Sequence, residues 1–140
     1  MNAVHYSSAT DEWSTPTDFY AKLDAEFHFT LDPCSTDDNA KCAKHYTKEQ
    51  DGLSQDWGAE RVFCNPPYGR TMPLWIAKCS EHGARGGIAV MLIPARTDTK
   101  AFHEYIYNKA EIRFIRGRLK FGGAKNSAPF PSMVVIFGGK

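Results

Sequence analysis

G-I-A-V-M-L-I-P, residues 87–94, is a continuous apolar run bounded by glycine and proline. It is far shorter than the roughly 20 residues a bilayer-spanning helix needs. Apolar side chains at successive positions suit a strand covered on both faces, which is how strands of parallel sheets are buried. The segments on either side of it read as helices, at 73–82 and 98–108, the second with Phe102 and Ile106 turned inward. Further out, Arg61–Cys64, Glu111–Ile115 and Met133–Phe137 read as strands, and Phe29–Leu31 as a short one ending at Asp32-Pro33. A helix is predicted over 15–27: Thr15 is its expected cap, Pro16 suits its first turn, and Asp18 completes a capping box. Phe19, Leu23 and Phe27 then share one face. The polar stretch 35–55 offers only a possible short strand near His45–Thr47. Strands alternating with helices predict an α/β fold, with a mostly parallel sheet covered on both sides. Ligands of such sheets bind at the carboxyl ends of the strands. Asp32, Asn65 and Pro94 stand at three such ends.

The chain has 140 residues, which fits one domain over residues 1–140, and a net charge of +1. The N-terminal segment is polar, without a signal-peptide core, and a cytoplasmic location is expected. The four cysteines (Cys34, Cys42, Cys64, Cys79) form no Cys-x-x-Cys pair. They read as reduced thiols, and no metal site is expected, although Cys34, Cys42 and His45 could in principle gather one. Charge is unevenly spread. Met1 to Glu111 carries 11 Lys and Arg against 16 Asp and Glu, whereas Ile112 to Lys140 carries six bases and no acid. That split points the C-terminal end toward a polyanion.

The strand at 61–64 runs into N-P-P-Y-G-R, residues 65–70. Pro66 and Pro67 fix their own φ angles, and Pro67 restricts Pro66 further, so the turn is stiff. The Asn65 side-chain oxygen and the Pro66 carbonyl form a small rigid set of acceptors for a planar amino group. Drawing its hydrogens out of the ring plane frees the nitrogen lone pair for attack. Tyr68 offers a face for a base, worth ~1–3 kcal/mol in stacking, and Gly69 permits close approach.

Asn-Pro-Pro-Tyr resembles the catalytic motif of amino-methyltransferases. The ordered series Thr15-Pro16, L-D-P-C (31–34), D-G-L-S-Q-D-W (51–57), F-C-N-P-P-Y-G (63–69), M-L-I-P-A-R-T-D-T (91–99), A-E-I-R-F-I-R-G-R-L-K-F (110–121) and A-P-F-P-S (128–132) is similar to the small phage and prophage DNA adenine methyltransferases of the Dam type. The resemblance covers nearly the whole chain beyond the first dozen residues. It implies a Rossmann-like, S-adenosylmethionine-dependent methyltransferase fold, mostly parallel with an antiparallel last strand, acting in a bacterial host cell. It implies direct methyl transfer to the 6-amino group of an adenine flipped out of duplex DNA, with alignment of nucleophile, methyl and sulfur doing most of the work. Asn65, Pro66, Pro67 and Tyr68 would be catalytic. Asp32, Pro33 and Cys34 would lie at the methionine end of the cofactor, Thr15 and Pro16 would close over it, and Asp56 and Trp57 would lie near its adenine.

The sequence departs from the wider methyltransferase pattern in one respect. Its first glycine is Gly52, so no glycine-rich loop follows the first strand. No separate target-recognition domain is evident, and base reading falls to the loop 116–132. Arg116, Arg118, Lys120 and Lys125 are its candidate phosphate contacts and Asn126 its candidate for a base edge. Phe121 or Phe130 would stack on the flipped base or fill its gap, unless they are core residues beside the last strand. Arg70 could touch the strand or be a solvated loop charge. Competing readings are an RNA adenine or protein-glutamine methyltransferase, a DNA-binding relative without activity, and a cytosine-5 enzyme using Cys34. For the last, Asp32, Asp37 and Asp38 would raise rather than lower the thiol pKa.

Overall fold

The computed structural model describes residues 14–121 and 127–139. Lys125 and Asn126 lie outside the described residues. Four strands form one sheet: β1 (Arg61–Cys64), β2 (Ile88–Pro94), β3 (Glu111–Phe114) and β4 (Ser132–Gly138). Their order is β1-β2-β4-β3. The apolar run 88–94 is indeed a central strand, buried at every position. It pairs in parallel with β1, Cys64 opposite Met91. It pairs antiparallel with β4, Met91 opposite Val135.

The expectation of a mostly parallel sheet needs correction at the level of pairing. Only the β1–β2 ladder is parallel; β2–β4 and β3–β4 are antiparallel. The cause is the place of β4. It inserts between β2 and β3 and runs against both, although β1, β2 and β3 share one direction. The expected strand at 29–31 is reduced to single parallel bridges, Leu31 to Val62 and Asp32 to His45. Thr30 explains the reduction in part: its Oγ1 takes the Arg61 N–H at 2.8 Å, in place of a ladder carbonyl. Pro33 then supplies no donor with which to continue.

Side chains alternate between two layers, as the two-residue repeat of strands requires. Val62, Cys64, Ala89, Met91, Ile93, Val135 and Phe137 join one core with Trp75, Ile76 and Cys79 of α2 (Met72–Ala84). Phe63, Val90, Leu92, Val134 and Ile136 join the other with Leu23 and Phe27 of α1 (Thr17–Phe27). Gly83 lets α2 lie directly on β4, since a Cβ there would stand 2.7 Å from Phe137 Cβ.

Two helix expectations change. Helix α1 starts at Thr17 with Pro16 in the capping position and no side-chain cap, so the capping box at Thr15 does not form. The Thr15 hydroxyl is committed elsewhere, as described below. The segment expected as a helix over 98–108 holds a single wide π-helical turn, Phe102–Ile106. Thr99 starts it by accepting the Phe102 N–H at 3.2 Å. The Tyr107 N–H closes it on the Phe102 carbonyl, and Asn108 turns away with φ of 62°. Among the described residues no helix is long and apolar enough to cross a membrane.

Candidate active site

Asn65 leaves β1 at the edge of the sheet where β2 also ends, at Pro94. Its amide is held from two sides. Nδ2 donates to Thr15 Oγ1 at 2.9 Å. Oδ1 accepts from the Tyr68 hydroxyl, also at 2.9 Å. The Leu92 carbonyl lies 3.2 Å from the same hydroxyl, which ties the turn back to β2. Thr15 and Pro66 are buried beside it and Asn65 is half-buried. The turn closes when Gly69 N–H reaches the Pro67 carbonyl at 3.1 Å and Met72 N–H reaches the Gly69 carbonyl, which leads straight into α2. Among the described residues no backbone N–H reaches the Pro66 carbonyl, as expected where proline removes the local donors.

Tyr68 is not an open platform. It is 6% exposed, and its ring meets Phe130 at 5.4 Å and Phe121 at 6.1 Å, both edge to face. Burial pushes its phenol well above the ordinary range, so the hydroxyl keeps its proton for Asn65 and Leu92. Phe121 is 2% exposed and is a core residue in this conformation; Phe130 is half-buried. The contact brings the 116–132 loop onto the Asn-Pro-Pro-Tyr turn, with Ala128 N–H bonded to the Leu119 carbonyl at 2.7 Å. Arg116, Arg118, Lys120 and Arg70 are exposed, and none of them takes part in an ion pair among the described residues. Arg113 differs. Its guanidinium grips both carboxylate oxygens of Glu26 at 2.7 Å and reaches Glu111 with Nε.

Asp32 forms a second centre at the same edge. It is 3% exposed, and its carboxylate accepts the backbone N–H of Lys41 at 2.9 Å and of Cys34 at 3.3 Å. Burial pushes its pKa up to about 6, against the pull of those two bonds. None of the ion pairs among the described residues involves it. Such a buried acid suits a positively charged guest. The 51–57 segment packs beneath this centre. Trp57 Nε1 donates to the Gly52 carbonyl at 3.0 Å, and Gly52 presses on Pro33, where a Cβ would lie 2.0 Å from the carbonyl oxygen. Trp57 is 1% exposed and stacks near Trp75, with Lys78 over its ring. Asp56 is exposed and caps the turn at Gly58. The hydrogen bonds and ring contacts of Trp57 and Asp56 run to Gly52, Gly58, Trp75 and His82. The structure thus brings together Thr15, Asn65, Tyr68, Phe121 and Phe130 as one group, and Asp32, Pro33, Cys34, Gly52 and Trp57 as another.

Three features were not singled out by sequence reasoning: the Thr15 bond to Asn65, the Leu92 carbonyl under Tyr68, and a cavity of about 420 Å³ between α2 and the π-helical turn. The cavity is lined by Gly69, Met72, Ile93, Phe102, Tyr105 and Met133 among others. His45 is paired with Asp37 at 2.8 Å, and no group of three or more His, Cys, Asp or Glu among the described residues could hold a metal ion.

The family model for DNA N-6-adenine-methyltransferase (Dam) matches residues 3–138. A DNA N-6-adenine-methyltransferase of Haemophilus phage HP1 is 30% identical over 138 residues, covering 93% of this chain and 80% of the phage protein. Another of Escherichia phage T1 is 34% identical over 111 residues, 78% of this chain. The match covers 46% of the T1 protein, so the chain spans under half the length of that relative. On the breadth of these matches, the chain belongs to the DNA N-6-adenine-methyltransferase (Dam) family.

Proposed function

We propose that this chain transfers a methyl group from S-adenosylmethionine to the 6-amino group of an adenine flipped out of double-stranded DNA, in the cytoplasm of a bacterial host. The observation that carries this reading is the Asn65 amide held between Thr15 and Tyr68 at the carboxyl end of β1. An amide oxygen has two lone pairs. One receives the Tyr68 hydroxyl, and in this reading an amino hydrogen of the base takes the other. The Pro66 carbonyl takes the second hydrogen. Both bonds strengthen as the nitrogen turns tetrahedral, which is the differential binding that catalysis needs.

S-adenosylmethionine supplies the methyl group on a cationic sulfur. Asp32 is the residue that fits its charge: a buried carboxylate with a raised pKa gains by meeting a cation. Pro33 and Cys34 follow it in the same turn. Thr15 touches Asn65, and Pro16 opens α1 beside it. Trp57 supports the 32–34 turn through Gly52. Arg70, Arg116, Arg118 and Lys120 take phosphates. We read the sheet as the half of a Rossmann-like methyltransferase sheet that carries the reversed last strand, in one domain without a separate target-recognition unit. Three strands of one direction, β4 against them and the parallel Leu31–Val62 bridge support that reading.

The test is incubation with unmethylated duplex DNA and S-adenosylmethionine, followed by digestion to nucleosides and mass spectrometry. The expected product is 6-methyladenine. Asn65→Ala is expected to abolish it while sparing cofactor binding. No methylated base despite cofactor binding would redirect the search to RNA or protein glutamine.

A further inference from the structure

The cavity of about 420 Å³ shares only Gly69 with the Asn-Pro-Pro-Tyr-Gly turn and contains none of Asn65, Tyr68, Asp32 or Trp57. It is therefore a different compartment, opening one residue beyond Tyr68. Its size is that of a small-ligand site. The walls are mostly apolar, from Met72, Ile76, Phe102 and Ile106. Leu74 is on its lining and is 58% exposed. Two cations line it, Arg96 and Lys100. Both are exposed, and neither enters an ion pair among the described residues. Glu104 is the acid on its lining, next to Tyr105.

An apolar slot with cations at its edge matches one kind of guest on this substrate: a nucleotide, with a flat base and an anionic phosphate. We propose that the cavity receives the base next to the flipped adenine on the same strand, with Arg96 and Lys100 on its phosphates. The inference rests on the adenine methyltransferase reading given above. Flipping one base removes a stacking partner from its neighbour, and the neighbour is the nearest part of the strand to the turn. Leu74 and the π-helical turn would then read the base beside the target, which makes the cavity a specificity subsite. DNA would be held on both sides of Tyr68, by the 116–132 loop on one and by Arg96 and Lys100 on the other.

Two arms test it, the first on unmethylated duplex DNA and the second on a duplex built around one adenine that the protein methylates in plasmid DNA. In the first, DNA affinity is measured against salt for the wild type and for Arg96→Ala/Lys100→Ala. The slope of log Kd on log salt is expected to fall by about 2, one unit per lost phosphate contact. An unchanged slope would overturn the proposal. This arm reads binding alone, so it stands apart from failure of the methyl-transfer reading, which the product assay reports. In the second arm, single abasic sites flank the target. The wild type is expected to lose about tenfold in affinity at one neighbouring position. Ala77→Leu, which narrows the cavity, is expected to bind intact DNA more weakly and to ignore that abasic site. Retained binding of S-adenosylmethionine checks that each variant is folded, and Leu74→Ala provides a second, less intrusive change. An abasic effect that stays undiminished in both cavity variants would place the neighbouring base elsewhere.

Discussion

Asn65 donates its side-chain amide to the Thr15 hydroxyl at 2.9 Å, across fifty positions of sequence. The bond fixes the amide from the side opposite Tyr68. It also joins the segment that opens α1 to the end of β1. A side chain that must present its oxygen to a substrate gains from such bracing, because misplacement by an ångström costs a large part of the rate. Thr15→Val keeps the shape and removes the acceptor. Steady-state kinetics on duplex DNA are expected to give a kcat lowered about fivefold, equivalent to one hydrogen bond of ~1 kcal/mol, with cofactor binding little changed. Thr15→Ser should restore most of it. Equal activity in Thr15→Val and wild type would remove Thr15 from the clamp.

Tyr68→Phe separates the hydroxyl from the ring. The ring packs against Phe121 and Phe130, so the phenylalanine variant should melt close to the wild type and still bind DNA. Its kcat is expected to fall because Asn65 Oδ1 loses its partner. Tyr68→Ala should behave differently, losing ~3–5 kcal/mol of stability as the aromatic cluster opens. Thermal denaturation and kinetics on the same two variants distinguish an orienting hydroxyl from a merely packed ring.

The central strand, the β1–α2–β2 unit and the position of Asn65 at a strand end were legible in the sequence. Each is written locally: an apolar run between Gly87 and Pro94, a helix with Pro73 in its first turn, and a proline pair that stops β1. The insertion of β4 between β2 and β3 was not, because pairing partners are chosen by tertiary packing and leave no local mark. Nor was the fate of Thr15. Its spacing fits a capping box, but a half-buried amide fifty residues away takes the hydroxyl instead. The sequence left Phe121 open between a stacking residue and a core residue, because its burial depends on a contact with Tyr68 that the loop does not record locally. The cavity at Arg96 and Lys100 depends on a π-helical turn that periodicity reads as ordinary helix.

Gly52 offers a test of the link between the two sequence motifs at 31–34 and 51–57. A methyl group at Gly52 would sit 2.0 Å from the Pro33 carbonyl oxygen and 3.1 Å from the Trp75 ring. Backbone cannot yield as a flexible side chain does, so Gly52→Ala is expected to cost ~1–3 kcal/mol by overpacking. Because the displaced group is the turn that carries Asp32, S-adenosylmethionine affinity should fall with stability. Calorimetry of the folded variant reads this directly. A destabilised protein with wild-type cofactor affinity would uncouple the 32–34 turn from the cofactor.

The two kinds of C-terminal arginine should also separate by experiment. Arg113 is engaged by Glu26 and Glu111, which pushes its guanidinium even further above its ordinary range. Arg116 and Arg118 are exposed and outside any ion pair among the described residues. Arg116→Ala/Arg118→Ala is expected to reduce the salt slope of DNA binding by about 2. Arg113→Ala should leave the slope unchanged. A slope that responds to Arg113 as strongly as to the other two would show that Glu26 releases it to DNA.

Asp32 gives a pH dependence whose sign can be worked out. Its ordinary value is 3.8, and burial raises it to about 6 in the fold. A carboxyl raised on folding favours the folded state while it holds its proton. That contribution is fully present below about 3.8 and is lost as pH rises through about 6. The free protein should therefore lose stability across that window, and Asp32→Asn should not show that loss. A cationic guest reverses the preference, because it needs the ionised form. S-adenosylmethionine affinity should rise with pH up to about 6 and level off above it, by at most tenfold per pH unit. Isothermal calorimetry between pH 5 and 8 measures the profile. Asp32→Asn should bind more weakly at pH 8, with a nearly flat profile. If the variant keeps the wild-type affinity and the same rise below pH 6, another group carries the titration, and the buried carboxylate serves only to hold the Cys34 and Lys41 backbone in place.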